Sequence, residues 1–148
     1  MDSAVGMDGT EQYPSNDASE PGMSARPRIL VVDDDRLVRE LACDLLLEEG
    51  YPVEMALGAG QALEMLRHAS PGHFHLVVLD LYMPGMSGQE ALPEILALCP
   101  DIKVILMSAL DADSDIKSLL RPGRVGFICK TRFFDSFVPK VRQMLSEP

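Results

Sequence analysis

The chain has 148 residues, 47 % of them hydrophobic, and a formal net charge of −10. That length suits one domain with a real core, and that apolar fraction argues against disorder throughout. No apolar run approaches the roughly 20 residues of a membrane helix, no basic stretch runs into an apolar one as in a secretory leader, and the acidic balance disfavours nucleic acid as a partner.

Residues 1–27 hold five acids, one Arg, three Pro, three Gly and four Ser. Such a segment buries too little apolar surface to offset its ordering entropy, so a disordered acidic tail is expected there, followed by one domain over 28–148. RILVV (28–32) reads as a first strand. Leu37, Leu41 and Leu45, with Val38 and Leu46, recur at helical spacing until Gly50 stops the helix. A weaker strand follows at 51–56, and residues 59–68 are helical with Ala62, Leu63 and Leu66 on one face. HLVVLD (75–80) is the third strand and 88–98 the third helix. Strand 4 is expected over 102–107, helix 4 over 112–121 and strand 5 over 125–129, and Phe137, Val141, Met144 and Leu145 mark a last helix. Pro93 and Pro139 each suit only a first helical turn. Helix 5 is therefore expected to start near Asp135 or Ser136, and helix 3 to begin late or kink.

Alternating strands and helices imply βαβ units, with a parallel sheet covered on both faces. In such sheets functional groups gather outside the carboxyl ends of the strands. Here strand 1 ends in Asp33-Asp34-Asp35, strand 3 in Asp80, strand 4 in Ser108 and strand 5 in Lys130. Carboxylates converging in a cleft repel one another unless a cation joins them, and oxygen ligands suit Mg²⁺ or a similar hard ion. A lysine and a hydroxyl opposite them supply a point charge and a donor for phosphate oxygens. The set suits a phosphoryl group held on a carboxylate, where positioning and charge neutralisation are most of the work.

Four blocks in register, RILVVDDD, VVLDLYMPGMSG, ILMSA and GFICK, resemble the receiver domain of two-component response regulators, over residues 28–146. The resemblance implies a flavodoxin-like α/β fold: a five-stranded parallel sheet in the order 2-1-3-4-5, with five helices on both faces. It also implies a cytoplasmic, single-domain signalling switch rather than a conventional enzyme. Asp80 matches the phosphoacceptor, taking its phosphoryl group from a histidine kinase or histidine phosphotransfer protein. Mg²⁺ (or Mn²⁺) is implied as cofactor, held by Asp34, Asp80 and the backbone carbonyl of Tyr82, with Asp33 acting through water. Ser108 matches the switch hydroxyl, Lys130 the cation that pairs with the phosphoryl group, and Phe127 the aromatic that follows the switch. Asp35 is expected as an exposed acid at the start of helix 1.

Charge is uneven along the chain. Residues 117–142 contain seven basic side chains against one acid, Asp135. This run is expected to form a partner face carrying Arg121, Arg124, Arg132, Lys140 and Arg142, suited to a downstream protein with an acidic surface. A solvated basic face is the plainer reading. No membrane partner is expected, and Cys43, Cys99 and Cys129, odd in number and widely spaced, read as buried thiols of a reducing compartment.

Two departures from the family pattern stand out. Thr131 follows Lys130 where the family usually has a proline after a cis bond. A cis bond before a non-proline costs about 3–4 kcal/mol, so either a trans bond with a rearranged loop or a strained site is expected. Tyr82 and Leu110 stand two residues after Asp80 and Ser108, and neither can orient an attacking water, which implies a slowly hydrolysed phosphoryl group. Two other functions compete. A pseudo-receiver would bind partners without phosphorylation, and Thr131 keeps that reading open. A phosphatase of the haloacid dehalogenase class needs a second Asp where Tyr82 stands. His73-x-His75 is expected to be solvated rather than metal-binding.

Overall fold

The computed structural model describes residues 26–146. The strands are β1 (Ile29–Val32), β2 (Val53–Ala56), β3 (Leu76–Asp80), β4 (Lys103–Ser108) and β5 (Val125–Cys129). The helices are α1 (Arg36–Glu48), α2 (Ala59–His68), α3 (Gly88–Leu98), α4 (Ser114–Lys117) and α5 (Phe133–Ser146), the last entered through a 3₁₀ turn over Lys130–Arg132. All four strand pairs are parallel, in the order β2-β1-β3-β4-β5.

The short apolar runs become strands because each can bury both faces. Alternate side chains go to opposite layers. Leu30, Val32, Val77, Leu79, Val104 and Leu106 face α2 and α3, meeting Leu63, Leu66, Leu92 and Ile95. Ile29, Val31, Leu76, Val78, Ile105 and Met107 face α1 and α5, meeting Cys43, Leu46, Phe137 and Val141. Two apolar layers thus clamp a sheet whose register sets Asp80 beside Met107, and Ser108 beside Cys129. Gly50, at φ +90°, turns the chain after α1 as expected of a helix stop.

Three expectations about helices are corrected. Helix 4 was read over 112–121, but α4 is a single turn capped by Asp113, whose carboxylate accepts from the Ile116 N–H. The chain then folds back so that Arg121 and Val125 form an antiparallel bridge. Gly123, at φ +74°, makes that reversal, and the Arg121 guanidinium takes the carbonyls of Ser118 and Leu120 that a longer helix would have used. Pro93 lies inside α3, which begins at Gly88 with no delay. A capping box between Ser87 and Glu90 fixes that start, and the buried side chains of Ala91, Leu92 and Ile95 hold the turn on either side of the missing N–H. Pro139 lies inside α5, which starts at Phe133, ahead of the expected Asp135 or Ser136. Phe133, Phe137, Val141 and Met144 are buried along one stripe, and Phe133 and Phe137 stack at 4.5 Å, so packing sets the first turn.

Of the segment read as a disordered tail, residues 1–25 lie outside the described residues. Arg26 is held, its guanidinium 4.6 Å above the Tyr51 ring and donating to the Glu49 carbonyl. His73 pairs with Glu54, and His75 accepts the Arg28 N–H, so both histidines are engaged with the β1–β2 end of the sheet.

Candidate functional site

The carboxyl ends of β1, β3, β4 and β5 converge on one cleft. Asp33 follows β1 directly and is fully buried; Asp80 is the last residue of β3 and only 4 % exposed. Lys130 is the first residue after β5, and its Nζ lies 3.0 Å from Asp33 Oδ2 and 3.4 Å from Asp80 Oδ2. Asp34 stands exposed at the mouth, and carboxylate oxygens of Asp33, Asp34 and Asp80 lie within 4.8 Å of one another.

Each group is fixed by local bonding. Asp33 Oδ1 accepts from the Asp35 N–H at 2.9 Å, and the Asp33 carbonyl accepts from the Arg39 guanidinium at 2.8 Å. Asp35 serves as N-cap of α1, accepting from Leu37 and Val38, so it belongs to the helix start and not to the cleft. Asp80 Oδ1 accepts from the Tyr82 N–H at 3.3 Å. Ser108 is fully buried, and its Oγ accepts from the Leu110 N–H at 3.0 Å. Phe127 on β5 is half-buried and packs against the layer under α2 and α3. The Tyr82 and Leu110 side chains point outward, 55 % and 68 % exposed.

The turn after β5 settles the question raised by Thr131. No peptide bond among the described residues is cis. The chain instead enters a 3₁₀ turn, with the Phe133 N–H bonded to the Lys130 carbonyl, and Lys130 still reaches both carboxylates. Thr131 Oγ1 lies 3.1 Å from Cys129 Sγ, which in turn lies 3.7 Å from the Ala109 carbonyl.

Electrostatics follow from the geometry. Burial, and next the charge of Asp33, raise the Asp80 carboxyl from 3.8 to about 6, against the pull of Lys130. Burial pulls Lys130 down, but Asp33 first and then Asp80 more than offset it, so its pKa is raised. Asp33 Oδ2 is buried, and no hydrogen bond of good alignment reaches it despite the nearby ammonium. Three clustered carboxylates with one cation, and one oxygen left without a directed donor, fit a hard divalent ion of the Mg²⁺ or Mn²⁺ kind.

A pH dependence follows for the metal-free protein. A folded pKa near 6 against an ordinary 3.8 means that the folded state binds the Asp80 proton more tightly than the unfolded state. The associated stability is present below about pH 4 and lost as pH rises through 6, amounting to at most about 3 kcal/mol. With chelator present, the urea midpoint is expected to fall between about pH 4 and 6, and Asp80→Asn to lack that fall. A wild-type midpoint as flat as the variant's would refute the assignment.

The five arginines and lysines expected on one partner face are dispersed. Arg124 folds inward, donating to the carbonyls of Ile102, Leu96 and Cys99, where it closes the end of α3. Arg142 pairs with Glu49 at the end of α1. Arg121, Arg132 and Lys140 line grooves beside β5. Two site features escaped the sequence reading. Arg39 clamps the Asp33 carbonyl, and a lone Arg on a helix carries no signal of that. Gly88 lies directly against the Asp80 backbone: a Cβ there would overlap the Asp80 carbonyl oxygen and come 2.9 Å from Leu81 Cα. The glycine directly after the Ser87 cap was the only available hint.

Comparison with known proteins places this geometry. A family model for the response regulator receiver domain matches residues 29–142. Response regulator MprA of Mycobacterium sp. (strain KMS) is 32 % identical over 118 residues, which is 80 % of this chain and 50 % of that protein. The chain thus spans about half the length of these curated relatives. Among solved structures, response regulator TrrA from Thermotoga maritima in complex with Mg²⁺-BeF is 37 % identical, with a TM-score of 0.68 over 80 % of this chain and 99 % of that one. A complex of histidine kinase ThkA with TrrA matches at 34 % identity and a TM-score of 0.67, covering 80 % of this chain and 98 % of the matched one.

Proposed function

The chain belongs to the response regulator receiver domain family, and from that premise we propose that it is a signalling switch phosphorylated on Asp80 by a histidine kinase or histidine phosphotransfer protein. One observation carries the reading: Asp80 ends a buried strand with Asp33 and Lys130 converging on it. An Asp80 carboxylate oxygen forms the new bond to phosphorus as the bond from the donor imidazole breaks, and the imidazole leaves. Bound Mg²⁺ or Mn²⁺, held by Asp34, Asp80, the Tyr82 carbonyl and, through water, Asp33, would neutralise charge on the transferring phosphoryl oxygens. Lys130 pairs with a phosphoryl oxygen from the β5 side. Ser108 exchanges its bond with the Leu110 N–H for one to the phosphoryl group. Phe127, which has no hydroxyl, follows by packing alone.

The pseudo-receiver alternative rested on Thr131. The trans turn leaves Lys130 within 3.4 Å of Asp80, which favours phosphorylation over that alternative. The phosphatase alternative needs an acid two residues after the nucleophile, and Tyr82 supplies none.

The test is intact mass after incubation with acetyl phosphate, with and without Mg²⁺, beside Asp80→Ala. A single Mg²⁺-dependent phosphoryl addition, absent in the variant, is expected. No addition under conditions that label another receiver would sink the proposal. The lifetime of the phosphoryl group carries a second expectation. Tyr82 and Leu110, two residues after Asp80 and Ser108, offer no carboxylate or amide to orient water, so decay is slow. Tyr82→Asn is expected to shorten the lifetime roughly tenfold, since an amide can hold an attacking water. Decay within seconds in both proteins would count against it.

A further inference from the structure

β5 is an edge strand, and two adjoining grooves run along it beside α5. One, of about 620 Å³, is lined by Lys117, Phe127, Arg132 and Lys140 with Asp111 and Asp135. The other, of about 410 Å³, adds Arg121 and shares Lys140 and Gln143. Lys117, Arg121 and Arg132 are exposed, and Arg121 is held at the groove mouth by the Ser118 and Leu120 carbonyls. Four cations against two carboxylates make it a basic surface on a chain of net charge −10.

Residues 1–25 carry five carboxylates (Asp2, Asp8, Glu11, Asp17 and Glu20) and no Lys or Arg. Where that segment joins the fold is equally specific. Arg26 bonds the Glu49 carbonyl, and the Glu49 carboxylate pairs with Arg142 on α5. Gln143, the next residue of α5, lines both grooves. Arg26, the first described residue, is thus linked through Glu49 to α5, the helix that borders both grooves. Fully extended, 25 residues reach about 80 Å, against roughly 21 Å for the length of α5.

We propose that residues 1–25 dock in the grooves between the β5 edge and α5, as a tethered acidic segment covering the face that carries Phe127. Individual surface ion pairs are weak. A short tether, however, supplies an effective concentration on the order of a millimolar, so even a weak multi-charge contact is substantially occupied. An acidic downstream protein would have to displace the segment. That consequence rests on the proposed output role, whereas the docking itself needs no phosphorylation.

The experiment uses the full chain without phosphodonor, so it stands apart from the mass assay. Amide NMR spectra of the wild type are compared with a variant carrying Asp2→Asn, Asp8→Asn, Glu11→Gln, Asp17→Asn and Glu20→Gln. At low ionic strength the differences are expected to cluster at Lys117, Arg121, Phe127, Arg132, Lys140 and Gln143, and to persist unchanged on tenfold dilution. They should collapse in about 0.5 M salt, where screening acts within a few ångströms. Combining Lys117→Gln, Arg132→Gln and Lys140→Gln in the otherwise wild-type chain should abolish the salt-dependent differences. Spectra that coincide at these positions overturn the proposal, as do differences confined to the α1–β2 side. Loss of the effect on dilution also overturns it, because the segment would then sit on a second copy.

Discussion

Replacing Lys130 with methionine is expected to lower the rate of phosphoryl transfer from acetyl phosphate to Asp80 by two to three orders of magnitude. The ammonium lies 3.4 Å from Asp80 and 3.0 Å from Asp33, and removing one preorganised donor from a site where charge develops typically costs that much. Methionine keeps most of the volume, so the loss is one of charge and not of packing. Stability should change as well. Without the ammonium, the buried Asp33 and Asp80 carboxylates face each other unpaired, and breaking a buried pair in this way costs about 3–5 kcal/mol. Mg²⁺ should restore much of that stability by joining the same carboxylates, but not the rate. Thermal melting of Lys130→Met with chelator and with Mg²⁺, beside the initial rate of mass gain, separates the two effects. A variant as stable without metal as the wild type would show that Lys130 is not what holds the acids together.

Gly88→Ala should be the most damaging alanine substitution among the described glycines. Its Cβ would overlap the Asp80 carbonyl oxygen and lie 3.0 Å from the Asp80 carbonyl carbon, both backbone atoms with no rotamer to yield. Either α3 moves away from the sheet or the end of β3 shifts, at a cost on the order of 3 kcal/mol or more. A domain of this size would then melt roughly 10 °C lower. Because the displaced backbone carries Asp80, the proposed phosphoacceptor, phosphorylation should fail even at temperatures where the variant is folded. Gly60→Ala is the control: it lies within α2 with open space around it, and helix propensity predicts an unchanged or slightly higher melting point. A Gly88→Ala protein that melts with the wild type and labels normally would mean that the β3–α3 turn is looser than its geometry implies.

Strands and site were legible for one shared reason. LVVLD can bury both faces only in the middle of a parallel sheet, and its terminal acid is then confined to the strand's carboxyl end. Asp33, Ser108 and Lys130 reach the same cleft by the same rule. What was not legible depends on contacts distant in sequence. The apolar residues of 112–121 suit a helix, yet the chain leaves it after one turn because Arg121 finds a better backbone partner in Val125. Pro139 argues against a helix through 133–138, yet the Phe133–Phe137 stack holds it. Arg124 reads as one more surface cation until α3 and the loop before β4 present three carbonyls to it. The turn at Thr131 could be posed as a choice between two geometries, and the chain takes the trans one, through a 3₁₀ turn that keeps Lys130 beside Asp33 and Asp80.

In the proposed switch role, the Ser108 hydroxyl would also set a floor on signalling noise. It is held at rest by accepting the Leu110 N–H at 3.0 Å. A neutral hydrogen bond of this kind is worth about 1 kcal/mol net, a factor of only about five in population. If that bond is the main restraint on the β4–α4 loop, roughly one unmodified molecule in six already samples the displaced arrangement. Such a switch would leak. Its partner would be tuned to tolerate a standing background, and the useful signal would be the several-fold rise above it rather than a passage from silence to activity.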